Sequence, residues 1–119
     1  MTQAERVRRA TPIALAALEK KAQDLVALDV HDVCSIADTF ILVTGTSDRH
    51  AKSIADAIVD AVRASGEKPL GVEGYDEGRW VLIDLGDVIV HVFQQDVRKA
   101  YDLERLWSDA EPMEIVAAA

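Results

Sequence analysis

The most enzyme-like residues of the chain are Gly45, Thr46 and Ser47, which follow an apolar run and precede an amphipathic segment. A helix that begins with small residues can bind an anion through its free backbone N–H groups. Nucleotidyltransferases combine a Gly-Ser turn of this kind with two carboxylates on a following strand that hold magnesium. The turn therefore raises the hypothesis of a metal-dependent nucleotidyltransferase or nucleotide-binding protein.

The carboxylates available for that chemistry are Asp84 and Asp87, which are three residues apart. Side chains of one strand share a face only at even spacing, and Asp87 falls in a predicted hairpin turn, so the two do not converge on a metal ion without distortion. The chain also lacks the Gly-rich segment ending in Lys-Ser or Lys-Thr that defines a P-loop. The sequence therefore favours a protein without catalytic, cofactor or metal-binding residues.

Histidine and cysteine give no second catalytic set. His31, His50 and His91 fall on different predicted elements, and no pair has the spacing of a helical metal site. A single cysteine, Cys34, excludes an internal disulfide and fits a reducing cytosol, so we expect a small buried side chain there and a cytoplasmic protein. We expect His91, in a central strand opposite Leu82, to be hydrogen-bonded and half-buried.

Large side chains outside the predicted core favour a binding role. Trp80 begins a strand directly after a loop, and Tyr101 and Trp107 lie on a short final helix. Tryptophan, tyrosine and arginine dominate the binding energy of protein interfaces. We expect Trp107 to pack the last helix against the sheet and Trp80 to contact a partner.

The charge of the chain restricts the class of that partner. Thirteen basic and 21 acidic residues give a formal net charge of −8. Affinity for nucleic acid comes largely from Lys and Arg, so we expect little direct nucleic-acid contact. An acidic surface suits a basic protein and accelerates encounter with it. No stretch approaches the roughly 20 apolar residues of a membrane span, so we expect no membrane contact.

Apolar spacing and capping residues predict three helices. Thr11 and Pro12 predict the cap and first position of a helix whose apolar stripe continues to Val26. Ser47 predicts the N-cap of a second helix, and Gly66 predicts its C-terminal end. The third helix is predicted over residues 94–107, with a weak surface pair between its residues 98 and 102.

Apolar runs between these helices predict the strands, over residues 28–33, 39–44, 70–73, 80–85 and 88–93. Together they predict an α/β domain with a mixed sheet of about five strands flanked by helices. The Gly86–Asp87 link predicts a hairpin that sets Leu85 opposite Val88 and Ile83 opposite Val90. That face is aliphatic and should lie on the core, whereas Trp80 lies on the other, mixed face.

The ends of the chain differ from its middle in composition. The first residues carry several arginines, and the segment after Trp107 is acidic, then Ala-rich, and contains Pro112. We therefore divide the chain into an N-terminal extension (1–11), one domain (12–107) and a mobile C-terminal tail (108–119).

Four segments, in this order, resemble the ribosomal silencing factor family, also called Iojap-like. They are Asp38–His50, Gly71–Gly74, Trp80–Phe93 and Arg98–Trp107. The similarity covers residues 12–107, nearly the whole predicted domain. The resemblance implies a nucleotidyltransferase-like fold that has lost catalysis and the function of a translational repressor.

The resemblance also implies a partner and a mechanism. The partner is ribosomal protein uL14, the conserved and basic fourteenth protein of the large ribosomal subunit, on the face that meets the small subunit. Occupation of that face would block subunit joining and slow translation during starvation. In the family a Trp-x-x-x-x-Leu stretch is implicated in the contact, and here it corresponds to Trp80 and Leu85.

Further partner contacts are expected near that stretch. We expect Tyr101 and the acids Asp84, Asp87 and Asp102 to meet basic groups of the partner. Two alternatives to the repressor remain. One is the nucleotidyltransferase hypothesis, and the other is a module that forms homodimers through the same mixed face.

Overall fold

The structure is a computed structural model that describes residues 1–115. Its elements are, in chain order, helix α1 (Gln3–Glu19), strands β1 (Gln23–Asp29) and β2 (Thr39–Gly45), helix α2 (Asp48–Ala64), strands β3 (Gly71–Glu73), β4 (Trp80–Asp84) and β5 (Val88–Gln94), helices α3 (Gln95–Tyr101) and α4 (Leu103–Leu106), and strand β6 (Glu111–Met113). Within residues 1–115 no helix has both the length and the apolar character needed to cross a bilayer.

The strands form one mixed sheet in the order β3-β4-β5-β2-β1-β6. β2 and β5 are parallel, and every other neighbouring pair is antiparallel. The predicted α/β fold with helices flanking a mixed sheet is confirmed, with six strands in the described part of the chain where about five were expected. The expected likeness to nucleotidyltransferases stays a prediction.

Each face of the sheet has its own apolar cluster. On the inner face, aliphatic side chains of β2, β4 and β5 pack against α1 and α2. The buried stripe of α2 has Ile54 and Ile58 as its largest members. On the outer face, Phe40, Leu42 and Phe93 pack beneath α3, α4 and the loop before β2.

The β4–β5 hairpin has the predicted register. Val81 pairs with Val92, and Leu82 pairs with His91. The Leu85 N–H donates to the Val88 carbonyl at 2.9 Å across the turn. Because side chains alternate along a strand, this register places the aliphatic set on the inner face and Trp80 on the outer face.

Helix α1 begins nine residues before the position that Pro12 predicted, so that prediction is wrong. Thr2 and Glu5 form a capping box, in which the Glu5 N–H donates to Thr2 Oγ1 at 3.2 Å and the Thr2 N–H donates to Glu5 Oε1 at 3.1 Å. Pro12 lies inside the helix, and Thr11 Oγ1 donates to the Val7 carbonyl at 2.6 Å. A strong cap upstream therefore overrides the usual preference of proline for the first helical position.

The end of α1 and the start of β1 also differ from the prediction. The helix ends at Glu19, and Lys21, with φ 59°, turns the chain into β1. Val26 pairs with Leu42 in the sheet, so it belongs to a strand and not to the helix. The strand predicted over residues 28–33 is thus shifted toward the N-terminus, because the short apolar run also fits the helical period.

The predicted ends of α2 are confirmed. Ser47 Oγ accepts the His50 N–H at 3.1 Å. At the other end the Gly66 N–H donates to the Arg63 carbonyl at 3.0 Å, and Gly66 has φ +89°. This left-handed conformation closes a helix end at little steric cost only for glycine.

The C-terminal segment adds an edge strand. β6 pairs antiparallel with β1, so that Ala27 faces Met113. Thus α1 crosses the predicted boundary at residue 11, and β6 lies beyond the predicted boundary at residue 107. The domain limits and the mobility of the tail stay predictions, and residues 116–119 of that tail lie outside the described residues.

Candidate partner-binding site

A tight loop before β4 places Trp80 at the start of that strand. Gly74 has φ +77°, and a Cβ atom there would lie 2.1 Å from the Trp80 carbonyl oxygen, so the loop needs glycine at this position. Trp80 then pairs with Phe93 of β5. Its side chain leaves the sheet on the outer face, as the hairpin register predicts.

Trp80 is half-buried among other rings of the outer face. The Tyr101 ring centroid lies 4.7 Å from that of Trp80, at an interplanar angle of 54°, and the Phe93 centroid lies at 5.8 Å. The indole Nε1 donates a hydrogen bond to Nδ1 of His91 at 3.1 Å. Aromatic pairs at such separations stabilise beyond the area they bury. Trp80 is therefore fixed in place, and the residue remains partly accessible.

Tyr101, which contacts Trp80, is the last residue before a break in the predicted final helix. Asp102 has φ 44° and ψ 57°, which ends α3 at Tyr101 and starts α4 at Leu103. The single helix predicted over residues 94–107 is therefore wrong at residue 102. Aspartate tolerates the left-handed region better than most non-glycine residues. The break leaves Tyr101 at a corner with 61% of its surface exposed.

A buried arginine holds this corner. Arg98 Nε donates to Glu104 Oε1 at 2.9 Å, and Nη1 donates to Thr44 Oγ1 at 2.8 Å. The guanidinium carbon lies 5.5 Å from the Phe93 ring centroid. The predicted surface pair between Arg98 and Asp102 is wrong, because Arg98 turns inward and links α3 to β2 and α4.

Helix α4 and the residue after it add one exposed and one partly buried apolar side chain. Trp107, just after it, meets Phe40 edge-to-face at 5.4 Å and 87°, which confirms its predicted packing role. Leu106 is 69% exposed. It lines an open depression together with residues of α3 and the corner, namely Ala100, Tyr101, Asp102 and Arg105. We call Trp80, Tyr101 and Leu106 the outer patch.

The three predicted acids lie in different surroundings. Asp102 is exposed beside Tyr101. Asp84 lies on the same face as Trp80 but at the far end of β4, where Oδ1 accepts the Gly86 N–H at 2.8 Å. Asp87 belongs to the hairpin turn. Of the three, Asp102 is therefore the one that adjoins the outer patch.

Asp87 is engaged in an ion pair within the chain. Its carboxylate accepts from Arg9 Nε at 3.0 Å and from Arg9 Nη2 at 3.1 Å. Burial acts to raise the pKa of Asp87, but the hydrogen bonds and charge of Arg9 outweigh it, so the pKa lies below its ordinary value. Arg9 also contacts Glu67 at 2.5 Å. Asp87 therefore ties the hairpin turn to α1.

Leu85 does not share a surface with Trp80. It is 6% exposed and packs in the inner-face cluster beside Val88. Five residues separate the two side chains, and an odd spacing sends them to opposite faces of a strand. The strand pattern, which places Trp80 and Leu85 on opposite faces, therefore disagrees with the family stretch, which assigns both residues to one contact. Partner contact by Leu85 stays a prediction to which this buried position gives no support.

The Gly45–Ser47 turn is occupied by the chain's own groups. The Thr46 N–H donates to His50 Nδ1 at 2.9 Å, and His50 Nε2 donates to the Lys20 carbonyl at 2.7 Å. A Cβ atom on Gly45 would lie 2.9 Å from the Ala51 nitrogen, so strand and helix meet closely there. In the described part of the chain no three potential metal ligands come together. The turn thus joins β2 to α2 and α1.

Comparison with known proteins places the chain in one family. The family model described as "Ribosomal silencing factor during starvation" matches residues 3–118. A ribosomal silencing factor of Bacillus subtilis is 47% identical over 92 residues, which cover 77% of this chain and 78% of that protein. This chain belongs to the ribosomal silencing factor family. The resemblance inferred from the four sequence segments is thereby confirmed.

Two further comparisons extend the family assignment. A crystal structure of a Chromobacterium violaceum protein superposes with a TM-score of 0.82 at 34% identity, covering 100% of this chain and 97% of that one. The mouse protein named mitochondrial assembly of ribosomal large subunit protein 1 is 26% identical over 93 residues. That match covers 76% of this chain and 41% of the mouse protein.

Several features of the residues around the outer patch could not be predicted from the sequence. His91 is buried, not half-buried, and its bond to Trp80 follows from the hairpin register, because residue 91 lies diagonally across from residue 80. Arg98 and Leu106 gave no comparable signal, since their positions depend on the helix break. Cys34 is half-buried against the outer-face cluster, less enclosed than expected.

Proposed function

We propose that this silencing-factor chain represses translation by binding ribosomal protein uL14 on the large ribosomal subunit. The bound domain sterically blocks the small subunit from joining. The observation that carries the proposal is the outer patch. Exposed Tyr101 contacts half-buried Trp80 and lines an open depression with exposed Leu106, on the sheet face that α3, α4 and the loop before β2 cover. Family membership supports the ribosome as the target, and the sequence resemblance supplies uL14.

The composition of the patch suits a protein partner. Interface hot spots are rich in tryptophan and tyrosine and lie in pockets that a partner can cover completely. Trp80 is rigid before binding, because Tyr101, Phe93 and His91 already contact it. A rigid anchor loses little conformational entropy when the partner covers it. We therefore assign Trp80 and Tyr101 the main part of the binding energy.

The charge of the chain suits a basic partner. A net charge of −8 attracts a basic surface at long range, and Asp102 places one carboxylate beside the patch. Asp84 contributes negative charge on the same face. In this proposal Asp87 and Leu85 stabilise the fold and do not contact the partner. Asp87 pairs with Arg9, and Leu85 packs in the inner-face core.

The target subunit, the lack of a catalytic requirement and the place of action follow from a mechanism that covers a surface of the ribosome. The mouse relative is named for assembly of the ribosomal large subunit, which fits the large subunit as the target here. A factor that acts by covering a surface needs no catalytic step, cofactor or metal, and little direct contact with nucleic acid. Its site of action is the cytoplasm, where the subunits meet.

Sedimentation with separated ribosomal subunits tests the proposal. We expect the wild-type chain to co-migrate with large subunits and to reduce the fraction of joined ribosomes. Leu106→Glu and Tyr101→Glu should each weaken binding by about tenfold or more, because they place a charge in an apolar contact. Leu70→Glu is the matched control, since Leu70 is 73% exposed, much like Leu106, and lies outside the patch before β3.

Two outcomes would count against the proposal. Wild-type protein that stays at the top of the gradient would remove the large subunit as the target. Equal loss of binding in Leu70→Glu and Leu106→Glu would remove the outer patch as the contact. Light scattering of the free protein shows whether the same patch also supports a homodimer, in which case Leu106→Glu should yield monomers.

A further inference from the structure

A buried histidine lies behind the tryptophan of the outer patch. His91 is in β5, is 6% exposed, and accepts the indole N–H of Trp80 on Nδ1 at 3.1 Å. Its ring centroid lies 5.3 Å from that of Phe40 at 76° and 6.2 Å from that of Phe93 at 27°. The imidazole thus sits among rings of the outer face, with its Nδ1 edge toward Trp80.

The hydrogen bond fixes the protonation state of this ring. A nitrogen that accepts a hydrogen bond carries no proton, so the neutral ring must hold its proton on Nε2. Burial lowers the pKa of His91 to about 4, which keeps the ring neutral at pH 7. His91 is therefore a permanent acceptor for Trp80 under physiological conditions.

The other nitrogen of His91 is left without a hydrogen bond. Nε2 is the one fully enclosed side-chain nitrogen or oxygen in the described residues that has no partner. Enclosing an unpaired N–H group costs free energy, and buried polar groups are normally paired. An apolar side chain at residue 91 would avoid this cost but would leave the Trp80 indole N–H without its acceptor, so the histidine is tied to Trp80.

The acceptor has a definite effect on Trp80. An indole that is half-buried can turn about its Cβ–Cγ bond if its N–H group has no fixed partner. The bond to His91 selects the orientation in which the ring meets Tyr101 at 4.7 Å. The histidine whose Nε2–H group is left unpaired is thus the residue that fixes the orientation of the Trp80 ring.

We propose that His91 is a positioning residue that holds the Trp80 indole in its binding orientation through the hydrogen bond to Nδ1. The inference rests on the proposed function, because it takes the held orientation of Trp80 to be the one that binds the basic protein partner. His91 itself does not touch the partner. It acts by removing the alternative orientations of the anchor before binding.

A measurement on the wild-type protein tests the contact without any variant. In uniformly ¹⁵N-labelled protein, we expect a scalar coupling across the hydrogen bond between Trp80 Nε1 and His91 Nδ1. We also expect slow hydrogen exchange of the Trp80 indole N–H. Trp107→Phe assigns the indole signal, since the chain has two tryptophans. A rapidly exchanging Trp80 indole with no coupling overturns the positioning role.

Affinity for isolated uL14 tests the consequence in a double-mutant cycle. His91→Leu removes the acceptor and should weaken binding by about tenfold, the size of one lost hydrogen-bond constraint. In a Trp80→Phe background, which has no indole N–H, His91→Leu should cause no further loss. His91→Asn, whose amide oxygen can stand near the position of Nδ1, should restore part of the affinity.

The outcomes separate this inference from the proposed function. Equal loss in both backgrounds means that His91 acts only through packing, which overturns the inference and leaves the proposed function intact. Wild-type protein that does not bind uL14 overturns the proposed function and the binding role of His91, whereas the coupling still decides whether His91 holds Trp80. If His91→Leu does not fold, the coupling and the Asn variant decide the case.

Discussion

The two faces of the sheet are built from different side chains and covered in different ways. The inner face is aliphatic and lies beneath two helices of 17 residues each. The outer face carries Phe40, Phe93, His91 and Trp80 beneath helices of seven and four residues. The same strands therefore present a closed core on one side and a partly open aromatic layer on the other.

This difference fits the proposed function, in which the inner face supplies stability and the outer face contacts the partner. Long amphipathic helices bury the inner face completely, and such burial supplies most of the stability of a domain. The short helices of the outer face leave Trp80 half-buried and Tyr101 exposed, as the proposed partner contact requires. Regions with less burial also open more readily, so the outer face should be the less stable layer.

The largest expected effect compares neighbouring residues of β4. Ile83 is fully buried on the inner face, and Leu82 is half-buried on the outer face. Ile83→Ala should lower the free energy of unfolding by about 2–5 kcal/mol, and Leu82→Ala by less than about 2 kcal/mol. Urea denaturation measures both. Equal losses would show that the two faces support the fold equally.

The next effect concerns the one histidine of the outer face. Unfolded His91, with an ordinary pKa of 6.5, binds a proton as the pH falls below 6.5, whereas the folded ring stays neutral down to about pH 4. The unfolded state then holds more protons, so stability falls between pH 6.5 and 4 and is complete above this window. From pH 7 to pH 5 the loss from this group is about 2 kcal/mol.

His91→Leu serves as the reference for this pH effect. The loss in free energy of unfolding between pH 7 and pH 5, measured by urea denaturation, should be larger in the wild type than in the variant by that amount, because other titrating groups contribute equally to both proteins. The same slope in the two proteins would mean that His91 is solvated in the folded state. The outer face would then be more open than the distances among its rings indicate.

A smaller effect tests how the inner layer begins. Thr2→Ala should lower the free energy of unfolding by about 1 kcal/mol, because it removes the cap of α1. Thr11→Ala is the matched control. Thr11 lies inside the helix, where its hydroxyl bonds back to Val7, so alanine should be neutral or slightly stabilising. A larger loss of stability in Thr11→Ala than in Thr2→Ala would instead support a helix that starts at Pro12.

The wrongly predicted start of α1 could have been avoided from the sequence alone. The Thr2–Glu5 spacing is a capping-box signature that the residue types alone reveal. By contrast, α2, β2 and the β4–β5 register followed from strong apolar patterns and correct caps, because there the local preference agrees with the final packing.

The outer face was harder to predict because its geometry depends on long-range contacts. The break occurs at Asp102, where no glycine or proline marks it in the sequence. It is accompanied by burial of Arg98, which donates to Thr44, 54 residues away along the chain. Tyr101, directly before the break, contacts Trp80, 21 residues earlier in the chain. Residue types therefore indicated Trp80 and Tyr101 as candidate binding residues, whereas only the folded chain shows how they meet.

The smallest expected effect tests the charge beside the outer patch. Asp102→Asn should keep the stability of the protein, since asparagine also tolerates the left-handed backbone of this corner. The association rate with uL14 should fall by about twofold to fivefold at low salt, because an exposed charge steers encounter. At about 1 M salt the difference should vanish, because screening acts within about 3 Å.

Asp60→Asn is the control for this charge effect. Asp60 is exposed on α2, which packs on the other face of the sheet, and its substitution removes the same charge. If steering depends on where the charge lies, Asp60→Asn should leave the association rate nearly unchanged in stopped-flow measurements. Equal slowing by both substitutions would mean that net charge alone drives encounter, and Asp102 would then lose its place in the contact.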